Sequence, residues 1–129
     1  MAQSRTVSIP ITLTGSTTTA TLFLKRKPVS EDYTIVAGSD YLIACDTTNN
    51  SMTITLPAAS SSKQDLGLGT TIASQIFVIN DEAGNASTNN ITIATTGDDT
   101  INGSSTKVMG TNHMSLQLYS NGTDGYHIM

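Results

Sequence analysis

The chain has 129 residues, of which 37% are hydrophobic, 12% charged and 5% aromatic, with a formal net charge of −4. That length fits one domain with a single core. The acidic balance argues against nucleic acid as the main partner, and no run approaches the roughly 18 apolar residues of a membrane-spanning helix.

Thr, Ser and Asn make up about a third of the residues. Thr suits the wet face of a strand and Asn suits turns. The first run, Thr6–Leu13, places Val7, Ile9, Ile11 and Leu13 on one face. Pro10 lacks an amide proton, which makes this an edge strand or an extended arm. A second run covers Thr19–Lys25, and Pro28–Asp32 reads as a break. A boundary there divides the chain into an N-terminal arm or hairpin, residues 1–32, and a main domain, residues 33–129. Further strands are expected at Tyr33–Val36, Asp40–Cys45, Ser51–Leu56, Gln75–Asn80, Asn90–Thr95, Thr106–Met109, Met114–Ser120 and Tyr126–Met129. Ala58–Gly69 reads as a long connection with room for one helical turn. Short strands at 8–12-residue spacing predict an all-β fold, an antiparallel β-sandwich or a jelly-roll-like domain.

The stretch from Tyr33 to the C-terminus resembles a module of tailed-bacteriophage virion proteins, known mainly from tail fibres and related surface appendages. The resemblance rests on five pieces in fixed order. They are Tyr33-Thr34-Ile35-Val36 with Asp40-Tyr41-Leu42-Ile43 and Asp46-Thr47; Ile54-Thr55-Leu56-Pro57-Ala58-Ala59; Ile76–Ile93 with Asp81, Gly84, Asn85 and Asn90; Asp99-Thr100-Ile101-Asn102-Gly103; and Ser120-Asn121-Gly122-Thr123 with Tyr126. The family often carries Trp where this chain has Tyr126. The resemblance implies an all-β module, usually a homotrimer on a virion. One module with a short N-terminal segment and no coiled-coil heptads points to a capsid decoration (cement) protein bound to the major capsid protein. The alternative is a short tail fibre, baseplate or receptor-binding tip component that meets tail proteins or a host glycan or protein.

The candidate anchor is the N-terminal segment, where Val7, Ile9 and Ile11 would fill pockets beside an added strand. Arg5 and the run Lys25-Arg26-Lys27 would meet an acidic partner, or the run is simply a solvated strand end. Catalytic, metal and cofactor sites are not expected. Asp98-Asp99, Asp81-Glu82 and Glu31-Asp32 are adjacent pairs, which point to opposite faces of a strand. The loops Asn80–Asn90 and Asn121–Gly125 lack the regular acidic spacing of an EF-hand. His113 and His127 read as surface or interface histidines, and Cys45, the one cysteine, as a small buried hydrophobe. The N-terminus has no signal-peptide pattern, so the expectation is a virion protein made in the host cytoplasm.

Overall fold

The computed structural model describes residues 23–129. In chain order the strands are β1 (Arg26–Val29), β2 (Tyr33–Thr34), β3 (Leu42–Cys45), β4 (Met52–Thr55), β5 (Lys63–Leu68) and β6 (Thr71–Ser74). They continue as β7 (Ile76–Asp81), β8 (Ile91–Ala94), β9 (Thr100–Ile101), β10 (Thr106–Met109), β11 (Ser115–Ser120) and β12 (Gly125–Ile128). A 3-10 turn at Ala59–Ser61 is the single helical element among the described residues. The protein is therefore all-β. The run Thr6–Leu13 lies outside the described residues, as do positions 19–22 of the second run.

Six strands form one sheet in the order β1-β3-β7-β11-β12-β9, and four form another in the order β10-β8-β4-β2. Alternation with period two supplies the buried residues of each sheet. Ile43, Cys45, Phe77, Ile79, Leu116 and Leu118 come from the first sheet; Met52, Ile54, Ile91, Ile93 and Met109 come from the second. They belong to one buried cluster, closed by Ile101 and Tyr126. Each fully buried side chain of this size contributes about 1.5–3 kcal/mol.

The expected antiparallel arrangement is corrected to mixed sheets. The chain alternates between sheets, with β1, β3 and β7 in one and β2, β4 and β8 in the other. Successive strands of one sheet thus run the same way, and β1–β3, β3–β7, β2–β4 and β4–β8 are parallel. Parallel neighbours need a crossover, which here is a strand of the other sheet rather than a helix. After β8 the chain reverses, so β10 pairs antiparallel with β8 and β11 with β7.

Two further expectations change. Pro28 lies inside β1 rather than in a break, and residues 23–25 of the expected run Thr19–Lys25 lie in no strand. The carbonyls of Lys25 and Val29 accept from Leu42 and Asp46. Odd positions therefore carry the ladder, and Pro28 falls on the outward set of an edge strand, where its missing donor costs nothing. Val29 is in the core cluster, so β1 shares the interior of the domain that follows it. The connection Ala58–Gly69 is the second case: after its 3-10 turn it becomes the hairpin β5–β6.

Cys45 is fully buried, and burial, then the charges of Asp81 and Glu82, push its thiol up to about 12. The thiolate is the reactive form. A thiol reagent at neutral pH should modify Cys45 only after unfolding; native-state labelling at the rate of a free thiol would contradict this burial.

Candidate interaction site

The basic run sits at the sheet edge formed by β1, and each of its cations has a partner within the fold. Lys25 Nζ lies 2.9 Å from Asp40 Oδ1 and donates to Ser39 Oγ at 3.1 Å. Arg26 donates through Nε to Glu82 Oε2 at 3.0 Å, and its terminal nitrogen meets Oε1. That guanidinium holds the Glu82 carboxyl below its usual range. Lys27 Nζ stands 5.1 Å above the Tyr33 ring, within cation–π range. Alternation sends Arg26 to the face opposite Lys25 and Lys27. The three cations are thus divided between two faces. Arg5, Val7, Ile9 and Ile11 lie outside the described residues.

Lys25 is tied to a buried carboxylate. Asp40 is inaccessible, and its Oδ2 accepts from Tyr33 Oη at 2.7 Å and from the Val36 amide at 2.9 Å. Burial alone would raise the Asp40 pKa. The bonds from Val36, Lys25 and Tyr33 outweigh it and hold the group below the ordinary carboxylate range. Burial first, then Asp40, pushes the Tyr33 phenol up to about 12. Among the described residues Lys25 is the one partner of Asp40 Oδ1. Lys25→Met should therefore strand a buried charge and destabilise the fold by about 1–3 kcal/mol, read as a lower melting temperature at neutral pH. An unchanged melting temperature would show that water replaces the ammonium without loss.

The loop after β7 is organised by a second buried carboxylate. Asp81 Oδ1 accepts from Thr47 Oγ1 at 2.6 Å and the Gly84 amide at 3.1 Å; Oδ2 accepts from the amides of Ala86 and His113, both at 3.0 Å. Burial raises the Asp81 pKa, and the bonds from Thr47, Ala86, His113 and Gly84 bring it below the ordinary range. The neighbouring side chains complete the loop. Thr47 Oγ1 accepts from the Asn85 amide, Asn89 Nδ2 donates to the Thr47 carbonyl, and Asn90 Nδ2 donates to the Ala86 carbonyl. Gly84 has φ +80°, and a Cβ there would run into the His113 ring, which excludes a side chain on both counts. Asp81 points into the fold and Glu82 out of it, as expected of strand neighbours.

The other oxygen-rich loop is likewise closed on itself. Asn121 Oδ1 accepts from the amides of Thr123, Asp124 and Gly125 at 2.9, 3.0 and 3.1 Å. Among the described residues no three His, Cys, Asp or Glu side chains converge as metal ligands. His113 faces Gly84 at one loop, whereas His127 lies on β12 with its ring 5.4 Å from Tyr119. Asp99 Oδ2 accepts from the Ala59 amide at 2.7 Å, a structural role that leaves Asp98 in solvent.

The hairpin Lys63–Ser74 is the surface feature that the sequence reading missed. All six residues of β5 are exposed, with Leu66 at 44% and Leu68 at 64%. Its one readable signal is the apolar-Gly-apolar triplet Leu66-Gly67-Leu68, which the surrounding glycines disguise as a loop. Gly67 and Gly69 both adopt φ +70°, and Asp65 Oδ1 accepts from the Gly67 amide at 2.8 Å. Two extra residues bulge out of β5 between Asp65 and Leu68, and Gly69-Thr70 makes the two-residue turn.

No protein-family model matches the chain, and no curated protein matches it in sequence.

Proposed function

We propose that this chain is a non-enzymatic structural protein of a tailed-phage virion, acting as a decoration (cement) protein on the capsid surface. In this reading the two sheets form a sandwich of jelly-roll-like character. Three copies associate, and the segment ahead of β1 is the arm that holds the major capsid protein. The observation that supports it is where the resembling residues fall. Asp40 with Tyr33, Asp81 with Thr47, Gly84 and Asn85, and Asn121 with its loop each hold a buried or self-closed hydrogen-bond set. Tyr126, at the position of the family's Trp, is fully buried with Phe77 beside it, ring centroids 6.2 Å apart. The likeness to the phage module therefore lies in positions with demanding geometry, not in composition alone.

Cementing follows physically from such a unit. A shell under internal pressure fails where capsomer contacts part. A trimer whose three arms grip neighbouring capsomers adds contacts that must break together, and linkage raises the effective concentration of each arm. The test is truncation. Val29 is in the core and Lys25 pairs with Asp40, so removal should stop at residue 22. A chain lacking residues 1–22 should stay folded and trimeric yet fail to bind undecorated heads. Binding of the intact protein to tails or host cells instead of heads would favour the fibre or baseplate alternative and overturn the capsid reading.

A further inference from the structure

We infer that the hairpin β5–β6 is a second anchor, placed at the end of the molecule where Phe23 and Leu24 lie, and that its partner is a protein surface offering an apolar groove beside a free strand edge. The inference rests on the proposed virion role, in which that partner is the capsid shell.

Register fixes the geometry. In the six-stranded sheet Arg26 pairs with Leu42, Leu42 with Val78 and Ile76 with Tyr119. Phe23 and Leu24 precede β1, so they lie at the end of the sheet where β3 and β7 begin. The hairpin leaves from that end as well: the Gln75 amide donates to the Ser62 carbonyl, and Ser74 Oγ donates to the Ser120 carbonyl at 2.6 Å. The 36–40 turn joins them, since the Gly38 amide donates to Gln75 Oε1 at 2.9 Å. The exposed apolar side chains of Phe23, Leu24, Val36, Leu66 and Leu68 therefore belong to segments that meet at one pole.

The hairpin is built to be reached. Among the described residues β5 and β6 pair only with each other, and no described strand covers the outer edge of either. A lone two-stranded hairpin is marginal in water. This one is braced at its base, where Ile72 and Lys63 fill the space that a side chain at Gly122 would need. The bulge and the tip carry Leu66 and Leu68 beyond that brace. Open edges offer backbone hydrogen bonds to an added strand, while the leucines suit apolar pockets. The chemistry selects protein over an anionic polymer, because the hairpin carries one lysine and one aspartate, Lys63 and Asp65, and so no excess of positive charge, while Lys25 and Arg26 are paired with Asp40 and Glu82. In the proposed role the hairpin and the segment ahead of β1 are two attachments of one chain, and linked attachments multiply affinity.

The test uses the full chain and heads that lack it. Leu66 and Leu68 are exposed, so the double variant Leu66→Asp/Leu68→Asp should keep the wild-type circular dichroism and melting temperature. It should bind heads about tenfold or more weakly, the loss expected when two apolar anchors are removed. Hydrogen exchange in residues 63–74 should slow when the wild-type protein binds heads. Binding of the double variant at wild-type affinity, beside a truncation at residue 22 that binds poorly, would overturn the hairpin inference and leave the proposed function standing. Failure of the wild-type chain to bind heads would overturn both.

Discussion

Asp81→Asn should cost about 3 kcal/mol or more, although the change is isosteric. Each Asp81 oxygen accepts two bonds: Oδ1 from a hydroxyl and an amide, Oδ2 from two amides. An asparagine offers one oxygen and one NH2 group. Whichever way it is turned, the NH2 faces at least one backbone amide that has no other way to point. In the site beside Ala86 and His113 it faces two. The residue is inaccessible, so water does not repair the mismatch. On the size scaling of small domains, the melting temperature should fall by on the order of 10 °C. The pH profile provides a second reading. Asp81 and Asp40 both have folded-state pKa values below the ordinary aspartate range. Between the folded and unfolded values the unfolded chain binds more protons, so stability rises with pH there. The stability these carboxylates supply is present above about pH 4 and is lost as pH falls through their folded values. Asp81→Asn should therefore flatten the acid limb of a stability–pH curve as well as lower its plateau. A variant with a lowered plateau and an unchanged acid limb would assign the acid transition to the other depressed carboxylates, Asp40, Asp46 and Glu82.

The strands were legible because their chemistry is local. The segment Met52-Thr53-Ile54-Thr55 buries alternate residues as its period requires, and Thr106–Met109 has the expected bounds. Pairing direction was not legible, since alternation looks the same in parallel and antiparallel neighbours of a half-buried sheet. What makes β3 and β7 parallel is the intervening passage of the chain through the other sheet, a non-local fact. The two-residue strand β9 lies between the strands expected at Asn90–Thr95 and Thr106–Met109, and Thr100-Ile101 is too short to show a period. The hairpin was hidden for the opposite reason: β5 buries neither face, so it carries no alternation to read. In the candidate site, the clustering of Lys25, Arg26 and Lys27 was visible but their pairing was not. Asp40 and Glu82 are distant in sequence and are brought to β1 only by the register of β3 and β7. The motifs Asp81–Asn90 and Ser120–Tyr126 stood out in the sequence, and the structure gives a reason: the side chains of Asp81, Asn89, Asn90, Ser120, Asn121 and Tyr126 all close bonds with the backbone.

Tyr126→Ala should be the most damaging single truncation in the core, at about 3–5 kcal/mol. The side chain is the largest of the fully buried ones and joins the ends of several elements. Its ring packs by Phe77 of β7, while its hydroxyl reaches the stretch after β4. There Oη donates to the Pro57 carbonyl at 2.8 Å and shares a 2.7 Å bond with Ser62 Oγ. Ser62 is the residue from which the hairpin sets out, so the cavity left by alanine would loosen the hairpin's root as well as the core. Tyr126→Phe separates the two contributions. It keeps the packing, leaves a buried carbonyl and a buried hydroxyl short of a partner, and should cost about 1–2 kcal/mol. The phenylalanine variant also isolates an alkaline effect. Burial pushes the Tyr126 phenol from 10.0 up to about 12; the bond from Ser62 opposes the rise and Asp99 adds to it. A raised folded-state value means that the folded protein keeps its proton where the unfolded chain has lost it. The associated stability is complete below pH 10 and disappears as pH rises toward 12. Wild type should lose stability across that window more steeply than Tyr126→Phe, by denaturant titration at each pH. Equal slopes would assign the alkaline limb to Tyr33 and Cys45, whose groups are also raised to about 12. If hydrogen exchange in residues 63–74 rises in Tyr126→Ala but not in Tyr126→Phe, packing rather than the hydroxyl sets the stiffness of the hairpin's root.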